Sequence, residues 1–155
     1  MEKWFFQYLN WLITSKAGKQ EAQTVNNHGT WYAIQTSSIA LFLNMTDVAK
    51  QIADTRFRKL VSVQIQRDGR QPFELLRTRS FDYSVLNLLG LFKLASIGQQ
   101  MSLNLWTFVN SQGAGLKTAL DYLTSNRQNW PHKQVTPLDT RGLDRLVAQA
   151  RSLSV

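Results

Sequence analysis

Residues 26–35 concentrate the side chains of this chain that are best suited to chemistry. The segment reads Asn-Asn-His-Gly-Thr-Trp-Tyr-Ala-Ile-Gln, so ten residues hold one imidazole, three carboxamides and two aromatic rings. Imidazole ordinarily titrates near neutrality, and a carboxamide can hold an anionic group without itself changing charge. The combination is typical of a site that removes a proton next to a carboxylate. A turn at the two asparagines followed by core aromatics explains the same residues, and composition alone favours that structural interpretation.

A second segment, residues 68–83, shifts the balance towards function. It reads Asp-Gly-Arg-Gln-Pro-Phe-Glu-Leu-Leu-Arg-Thr-Arg-Ser-Phe-Asp-Tyr and follows the first segment after two helical patterns. The pair of segments resembles the alginate lyase domain family of polysaccharide lyases. The resemblance runs from Trp4 to Tyr122 and covers the later half of the family's fold.

The resemblance implies an all-α fold, in which antiparallel helical hairpins form part of an incomplete (α/α) toroid around a long cleft. Family members are much longer than 155 residues, so the hairpins of the opposite cleft wall are expected to be missing here. The chain is then either a lyase or a truncated fragment. Relatives are exported, which implies a periplasmic or extracellular protein, although the N-terminus shows no recognisable signal peptide.

The resemblance also implies roles in β-elimination, the reaction in which the C5 proton of a uronate is removed and the 4-O-glycosidic oxygen leaves. Asn27 would bind the uronate carboxylate. His28 would be the base, or would assist Asn27. Tyr83 would protonate the leaving oxygen, and in some relatives the same phenol also takes the C5 proton. Arg77 would either favour ionisation of that phenol or clamp the carboxylate through a bidentate pair.

Further residues are expected to contact the sugars, because sugar rings stack on aromatic faces and amides bind hydroxyl groups. These substrate-binding candidates are Trp31, Tyr32, Gln35 and Arg79. One of the two arginines is expected to pair with Glu74 or Asp82 instead. Glu74 is expected to orient an arginine, and His132, which matches no motif, is interpreted as a solvated loop residue.

Composition describes an ordinary globular chain with a strong positive charge. Of its 155 residues 43% are apolar and 18% are charged, which is typical of one soluble domain. The formal net charge of +8 indicates an anionic partner, such as a polyuronate or a nucleic acid. The chain has no cysteine and two histidines, so we predict no disulfide, no metal and no cofactor. No apolar run approaches the roughly 18 residues that cross a bilayer, so no membrane association is expected.

Hydrophobic periodicity predicts a chain of helices and no strand. The predicted helices cover residues 2–15, 29–43, 46–69, 84–97, 103–109, 116–125 and 138–152. Residues 16–26 and 69–83 are predicted as loops, and residues 126–137 as a polar connector. We expect residues 1–126 to form the lyase-like domain, followed by the connector and a short terminal helix in residues 127–155.

The lengths of the second and third predicted helices have a geometric consequence. About 15 residues at 1.5 Å each rise roughly 22 Å, and the following 20 residues descend roughly 30 Å. An antiparallel hairpin therefore returns close to its start. The loop 69–83, with Arg77 and Tyr83, is predicted to lie beside Asn27 and His28.

The leading hypothesis is a polysaccharide lyase whose partner is an anionic polysaccharide such as alginate or a glucuronan. A non-catalytic carbohydrate-binding fragment of the same family is the first alternative. A basic helical module that binds nucleic acid is the second, but its support is charge alone, and the basic residues are scattered rather than clustered along one helix. We therefore expect no nucleic-acid partner, and the oligomeric state stays open.

Overall fold

Helices account for the regular structure of residues 1–153, which are the residues that the computed structural model describes. In chain order the helices are α1 (Glu2–Thr14), α2 (Lys16–Gln23), α3 (Asn27–Phe42), α4 (Thr46–Gln64), α5 (Pro72–Leu75), α6 (Ser80–Gln100), α7 (Leu116–Ser125) and α8 (Arg141–Leu153). Strand pairing in this part of the chain is limited to two isolated antiparallel bridges, between Arg79 and Gln134 and between Val109 and Gly115. The all-α prediction is confirmed.

The structure differs from the predicted elements in several stretches. The predicted helix 46–69 ends at Gln64, and the predicted loop 69–83 contains α5 and the first turn of α6. The first part of the predicted loop 16–26 is the helix α2, which begins because the Ser15 hydroxyl accepts a hydrogen bond from the Gly18 amide at 3.0 Å. Gly18 also lets α2 pack closely on α1, since a Cβ there would lie 1.9 Å from the Leu12 carbonyl oxygen. The predicted helix 103–109 is wrong. Ser102 adopts a φ of 61°, and the Leu103 amide bonds back to the Gly98 carbonyl at 3.0 Å, so the chain turns away at the end of α6.

The helices α3 and α4 form the predicted antiparallel hairpin. Asn44 turns the chain with a φ of 58°, a left-handed conformation that asparagine tolerates. At the far end of the hairpin the Gln64 carboxamide donates to the Asn26 carbonyl at 2.9 Å. The last residue of α4 therefore touches the residue before α3, as the helix lengths predict.

A buried polar junction joins α3, α4 and α6. Its four residues are 2% exposed or less, and they are Thr30, Gln64, Gln71 and Asn87. The Thr30 hydroxyl donates to Asn87 Oδ1 at 2.7 Å and accepts from Gln64 Nε2 at 3.1 Å. Asn87 Nδ2 donates to Gln64 Oε1 at 3.0 Å and to Gln71 Oε1 at 2.8 Å. Each carboxamide of this junction has a partner, which a buried polar group requires.

The junction fixes the direction of α6 relative to α3. Asn87 contacts Thr30, and one turn further along α6 a Cβ on Gly90 would lie 2.7 Å from Thr30 Cγ2 and 3.5 Å from Ile34 Cδ1. The two helices therefore run in the same direction. Their first turns, which contain Asn27 and Tyr83, lie at the same end of the molecule.

The connector between α7 and α8 packs against the helices, although its sequence is polar. His132 is half-buried: its Nε2 atom lies 2.6 Å from the Tyr122 hydroxyl, and the Trp130 ring meets it edge-on at 5.1 Å. The expectation of a solvated histidine is wrong because α7 supplies a polar partner and Trp130 an apolar cover. The helix α8 then buries Leu143 and Leu146 in the common core. The domain division at residue 126 stays a prediction.

In residues 1–153, no helix has both the length and the apolar character that crossing a membrane requires.

Replacing Thr30 with valine tests the polar junction. The change keeps the side-chain shape but leaves Asn87 Oδ1 without its donor, so we expect the free energy of unfolding to fall by about 1–3 kcal/mol. Thr55→Val on the exposed face of α4 is the matched control and should change it by less than about 0.5 kcal/mol. Urea denaturation measures both values, and equal effects of the two variants would contradict the importance of the junction.

Candidate active site

A cavity of about 490 Å³ opens at the start of α3. Residues of α1, α2 and α3 line it, namely Leu12, Glu21, Asn27, His28, Trp31, Tyr32, Ile34 and Gln35. Five of these eight are candidates from the sequence. The Asn26 side chain accepts a hydrogen bond from the His28 amide at 3.1 Å and so caps α3. This cap places His28 in the first turn, with its ring at the cavity and half-exposed to solvent.

Glu21 on α2 holds the His28 ring. The Nδ1 atom of His28 lies 2.8 Å from Glu21 Oε1. An ionised carboxylate can only accept a hydrogen bond, so the proton of the neutral ring is on Nδ1. The lone pair of Nε2 is then available as an acceptor, and the carboxylate lies where it would stabilise a positive charge on the ring.

Glu74 on α5 fixes the position of Asn27 through hydrogen bonds. Its Oε1 atom accepts from the Asn27 amide N–H at 2.6 Å, and its Oε2 atom accepts from Asn27 Nδ2 at 2.9 Å. Glu74 is 1% exposed. Burial raises the pKa of the Glu74 carboxyl, while the two hydrogen bonds from Asn27 and the nearby charge of Arg77 act in the opposite direction. The expectation that Glu74 orients an arginine is wrong, because its hydrogen bonds go to Asn27.

These contacts also place the loop between α4 and α6. Since α5 lies in that loop, the Glu74–Asn27 hydrogen bonds show that the loop returns to the start of α3. The return of the loop to Asn27 agrees with the prediction from the helix lengths.

Arg77 and Tyr83 form a pair at the start of α6. The guanidinium carbon of Arg77 lies 4.2 Å from the centroid of the Tyr83 ring. A cation over the face of a phenol is attracted by the ring and leaves its hydroxyl uncovered. Neither residue belongs to the set that lines the cavity.

The four substrate-binding candidates differ in what they offer. Trp31 is 36% exposed at the cavity. Tyr32 is buried, and its hydroxyl donates to the Leu12 carbonyl at 2.9 Å, so this ring ties α3 to α1. Gln35 is exposed and donates to the Tyr8 hydroxyl at 3.0 Å. Arg79 pairs with Asp82 at 2.7 Å, which is the ion pair expected for one of the two arginines.

Burial raises the pKa of the Tyr32 phenol, while the charge of Arg56 lowers it. Burial thus disfavours the phenolate form of Tyr32, whose hydroxyl donates to the Leu12 carbonyl. Residues 1–153 contain no cluster of three or more histidine, cysteine, aspartate or glutamate side chains able to hold a metal ion.

Comparison with known proteins decides the family. The family model described as "Alginate lyase" matches residues 1–132. The chain belongs to the alginate lyase family. A crystal structure of an alginate lyase from Bacteroides ovatus at 1.60 Å resolution matches it with a TM-score of 0.94 and 27% sequence identity. The match covers 99% of this chain and 42% of that chain. None of the curated proteins compared with it matches.

The comparison also accounts for the architecture. The antiparallel hairpins of this alginate lyase family chain form part of an (α/α) toroid, as predicted, and the chain spans 42% of the length of the solved lyase.

One residue of the site escaped sequence reasoning. Glu21 lies in the predicted loop 16–26, seven positions before His28. The available signal was Ser15, a good cap residue, three positions before Gly18 in a polar segment. That signal predicts α2 but does not reveal that α2 turns Glu21 towards α3, because tertiary packing sets this contact.

The pH dependence of stability tests the burial of Glu74. A carboxyl whose folded-state pKa is raised contributes stability below its ordinary pKa, and this contribution is lost as pH rises through the folded-state value. Glu74→Gln removes the titration. We therefore expect the free energy of unfolding of the variant, relative to the wild type, to increase with pH above about 4.3. Urea denaturation at a series of pH values measures this difference.

The matched control for that series is Glu2→Gln, which replaces an exposed glutamate of α1. Because the Glu2 carboxyl is exposed, its difference from the wild type should not rise with pH as that of Glu74→Gln does. A difference for Glu74→Gln that does not increase with pH would contradict the burial effect.

Proposed function

We propose that this chain carries the catalytic residues of a polysaccharide lyase that cleaves an acidic polyuronate, such as alginate or a glucuronan, by β-elimination. The observation that carries the proposal is the hydrogen bond from His28 Nδ1 to Glu21, since it leaves Nε2 as a base at a cavity lined also by Asn27. The family and the likeness to a solved alginate lyase support it.

Asn27 is proposed to bind the uronate carboxylate. Asn27 Nδ2 lies 3.2 Å from Glu74 Oε1 and 2.9 Å from Oε2. A primary amide has two N–H groups, so one N–H shared between these two oxygens leaves the other for the substrate. A hydrogen bond to the carboxylate draws charge away from C5 and makes its proton more acidic. Because Glu74 fixes both the backbone and the side chain of Asn27, the donor is oriented before the substrate arrives.

His28 and Tyr83 are proposed to move the two protons. His28 Nε2 takes the C5 proton, and the electron pair of that C–H bond forms the C4–C5 double bond. The C4–O bond breaks, and the leaving oxygen takes the phenolic proton of Tyr83. The Arg77 guanidinium stabilises the phenolate that results. In the second version of this step, Tyr83 serves as both base and acid, and His28 assists Asn27.

The remaining candidates are proposed to bind neighbouring sugars. Trp31 offers a half-exposed ring at the cavity, and Gln35 offers an amide. The formal net charge of +8 favours encounter with a polyanion over a neutral glycan. Arg79 would contribute through its exposed guanidinium while paired with Asp82. A periplasmic or extracellular location belongs to the same proposal.

A non-catalytic carbohydrate-binding fragment is the second candidate function. The observation that favours it is that the chain spans 42% of the length of the solved alginate lyase. The outer face of α1 is also apolar, since Trp4 is 59% and Trp11 is 50% exposed. Further helices of a toroid would cover such a face and add subsites.

Product absorbance separates the two candidates. The unsaturated uronate formed by β-elimination absorbs in the ultraviolet, so the purified chain is mixed with alginate, polymannuronate, polyguluronate and glucuronan in turn. A rise with one polymer establishes the lyase and identifies its substrate. Binding of a polymer without any rise establishes the fragment, and salt-sensitive binding to DNA alone would contradict both.

We expect His28→Ala and Tyr83→Phe each to lower kcat by about 10²–10⁴-fold, because each removes a group that transfers a proton. Helix content, measured by circular dichroism, should stay at the wild-type level since both side chains lie at the start of a helix and outside the core. Near-normal turnover in either variant would contradict the role assigned to that residue.

We expect Glu21→Ala to lower kcat by about 10–100-fold, because the His28 ring loses the partner that fixes its tautomer and orientation. The effect should be smaller than that of His28→Ala. Glu2→Ala, on the exposed face of α1, removes a glutamate of the same charge and should leave turnover unchanged. Equal turnover in the two glutamate variants would show that Glu21 does not act through His28.

A further inference from the structure

The helix α6 begins without a capping side chain of its own. Arg79 occupies the cap position and makes no side-chain cap hydrogen bond. The first N–H groups of a helix have no partner within the helix, so acceptors must come from elsewhere. Here they come from the connector between α7 and α8. The Lys133 carbonyl accepts from the Ser80 amide at 3.1 Å, and Gln134 Oε1 accepts from the Phe81 amide, also at 3.1 Å.

Residues of the same connector also form hydrogen bonds and ring contacts with the side chains of this turn. The Ser80 hydroxyl, which is fully buried, donates to the Lys133 carbonyl at 2.6 Å and accepts from Trp130 Nε1 at 2.8 Å. The Trp130 ring packs edge-on against Phe81, with their centroids 5.2 Å apart. A further backbone hydrogen bond runs from the Val135 amide to the Thr78 carbonyl at 3.0 Å.

The connector is anchored in turn to α7. His132 Nε2 lies 2.6 Å from the Tyr122 hydroxyl, and the Tyr122 and Trp130 rings meet edge-on at 5.9 Å. Residues 130–135, which we call the strap, are therefore fixed on one side by α7 and on the other by the first turn of α6.

That first turn carries Tyr83. Its amide bonds to the Arg79 carbonyl at 3.0 Å, so Tyr83 closes the same turn that the strap caps at Ser80 and Phe81. A rotation or fraying of this turn would move the phenol relative to Arg77 and the cavity. A displacement of about 1 Å at a reacting group can cost about 10²-fold in rate.

We propose that the strap positions Tyr83 for proton transfer, with Gln134 and Trp130 as its positioning residues. This inference rests on the proposed lyase function. Gln134 acts through the Phe81 amide and Trp130 through the Ser80 hydroxyl, so neither contacts the substrate. The strap thus belongs to the catalytic apparatus, although it lies about fifty residues from Tyr83 in the sequence. It is polar, and the family match, which ends at residue 132, covers only part of it.

Gln134→Ala is the direct test, because it removes the acceptor of the Phe81 amide. Gln128→Ala, an exposed glutamine of the same connector, is the matched control. Gln134→Glu restores an acceptor oxygen at the same reach. Trp130→Phe is a second, independent variant that keeps an aromatic ring beside Phe81 and removes only the N–H donated to Ser80.

Two of the readouts need no catalysis. Hydrogen exchange of the Phe81 amide should accelerate by about tenfold or more in Gln134→Ala, while exchange of Leu88 in the middle of α6 stays unchanged. The NMR resonances of the Tyr83 ring, assigned with Tyr83→Phe, should shift in Gln134→Ala and Trp130→Phe and not in Gln128→Ala.

The third readout is turnover on the polymer that the wild type cleaves. We expect kcat to fall by about tenfold in Gln134→Ala with KM within about twofold, and Gln134→Glu to recover it. An unchanged Tyr83 ring or an unchanged kcat in Gln134→Ala would overturn the strap proposal. A wild type that cleaves no polymer would overturn the lyase function, and the Tyr83 resonances would then decide by themselves whether the strap positions the phenol.

Discussion

Buried polar groups must find hydrogen-bond partners, and this requirement at the meeting point of α3, α4 and α6 sets the geometry on which the candidate site depends. Thr30, Gln64 and Asn87 satisfy one another only if α3 and α6 lie side by side in one direction and at one register. A slip of either helix would leave carboxamides unpaired in a dry core, where each loses its hydration without compensation. An apolar contact would tolerate such a slip more easily. The polar junction therefore specifies position as well as contributing stability, and it brings the first turns of both helices to one end.

Glu21 lines the cavity that we propose binds a polyanion, and Glu74 lies next to it through Asn27. Negative charges at these positions would by themselves repel such a ligand. Each is engaged with a residue of α3 instead. Glu74 is buried behind Asn27 and accepts from both its backbone and side chain, and Glu21 accepts from the His28 ring. Their charges are thus coupled to groups that would contact the substrate. The basic surface of the chain supplies the attraction at long range, while these two glutamates orient the polar groups at short range.

Much of the fold was predictable from the sequence because apolar periodicity marks helices that bury one face. The helices α1, α4, α7 and α8 follow that pattern, whereas α3 and α6 are buried over most of their surface. Helix rise alone located the loop between α4 and α6, which carries Arg77. The helix α2 escaped because its residues are mostly polar, and its cap at Ser15 was the only local sign. The helix predicted over residues 103–109 is absent because the apolar residues there have another role. Leu103 and Leu105 close the end of α6, and Leu105 packs on Gly98.

The sequence predicts the residue types of the site better than it predicts the residues that hydrogen-bond to them. The resemblance identified Asn27 and His28, yet the residues that hold them, Glu74 and Glu21, are defined by tertiary contacts that no local pattern encodes. His132 shows the same limit, because a polar connector gives no sign that Tyr122 and Trp130 will enclose its histidine.

The N-terminal cap of α6 comes from residues far away in the sequence, and this affects the order in which the chain folds. Ser80 and Lys133 are 53 positions apart, and closing so long a loop costs conformational entropy that local helix formation does not. During synthesis from the N-terminus, the hairpin of α3 and α4 and the body of α6 can pack while the capping residues are still within the ribosome. The turn that bears Tyr83 is then among the last parts of the chain to become ordered, well after the cavity wall formed by α3.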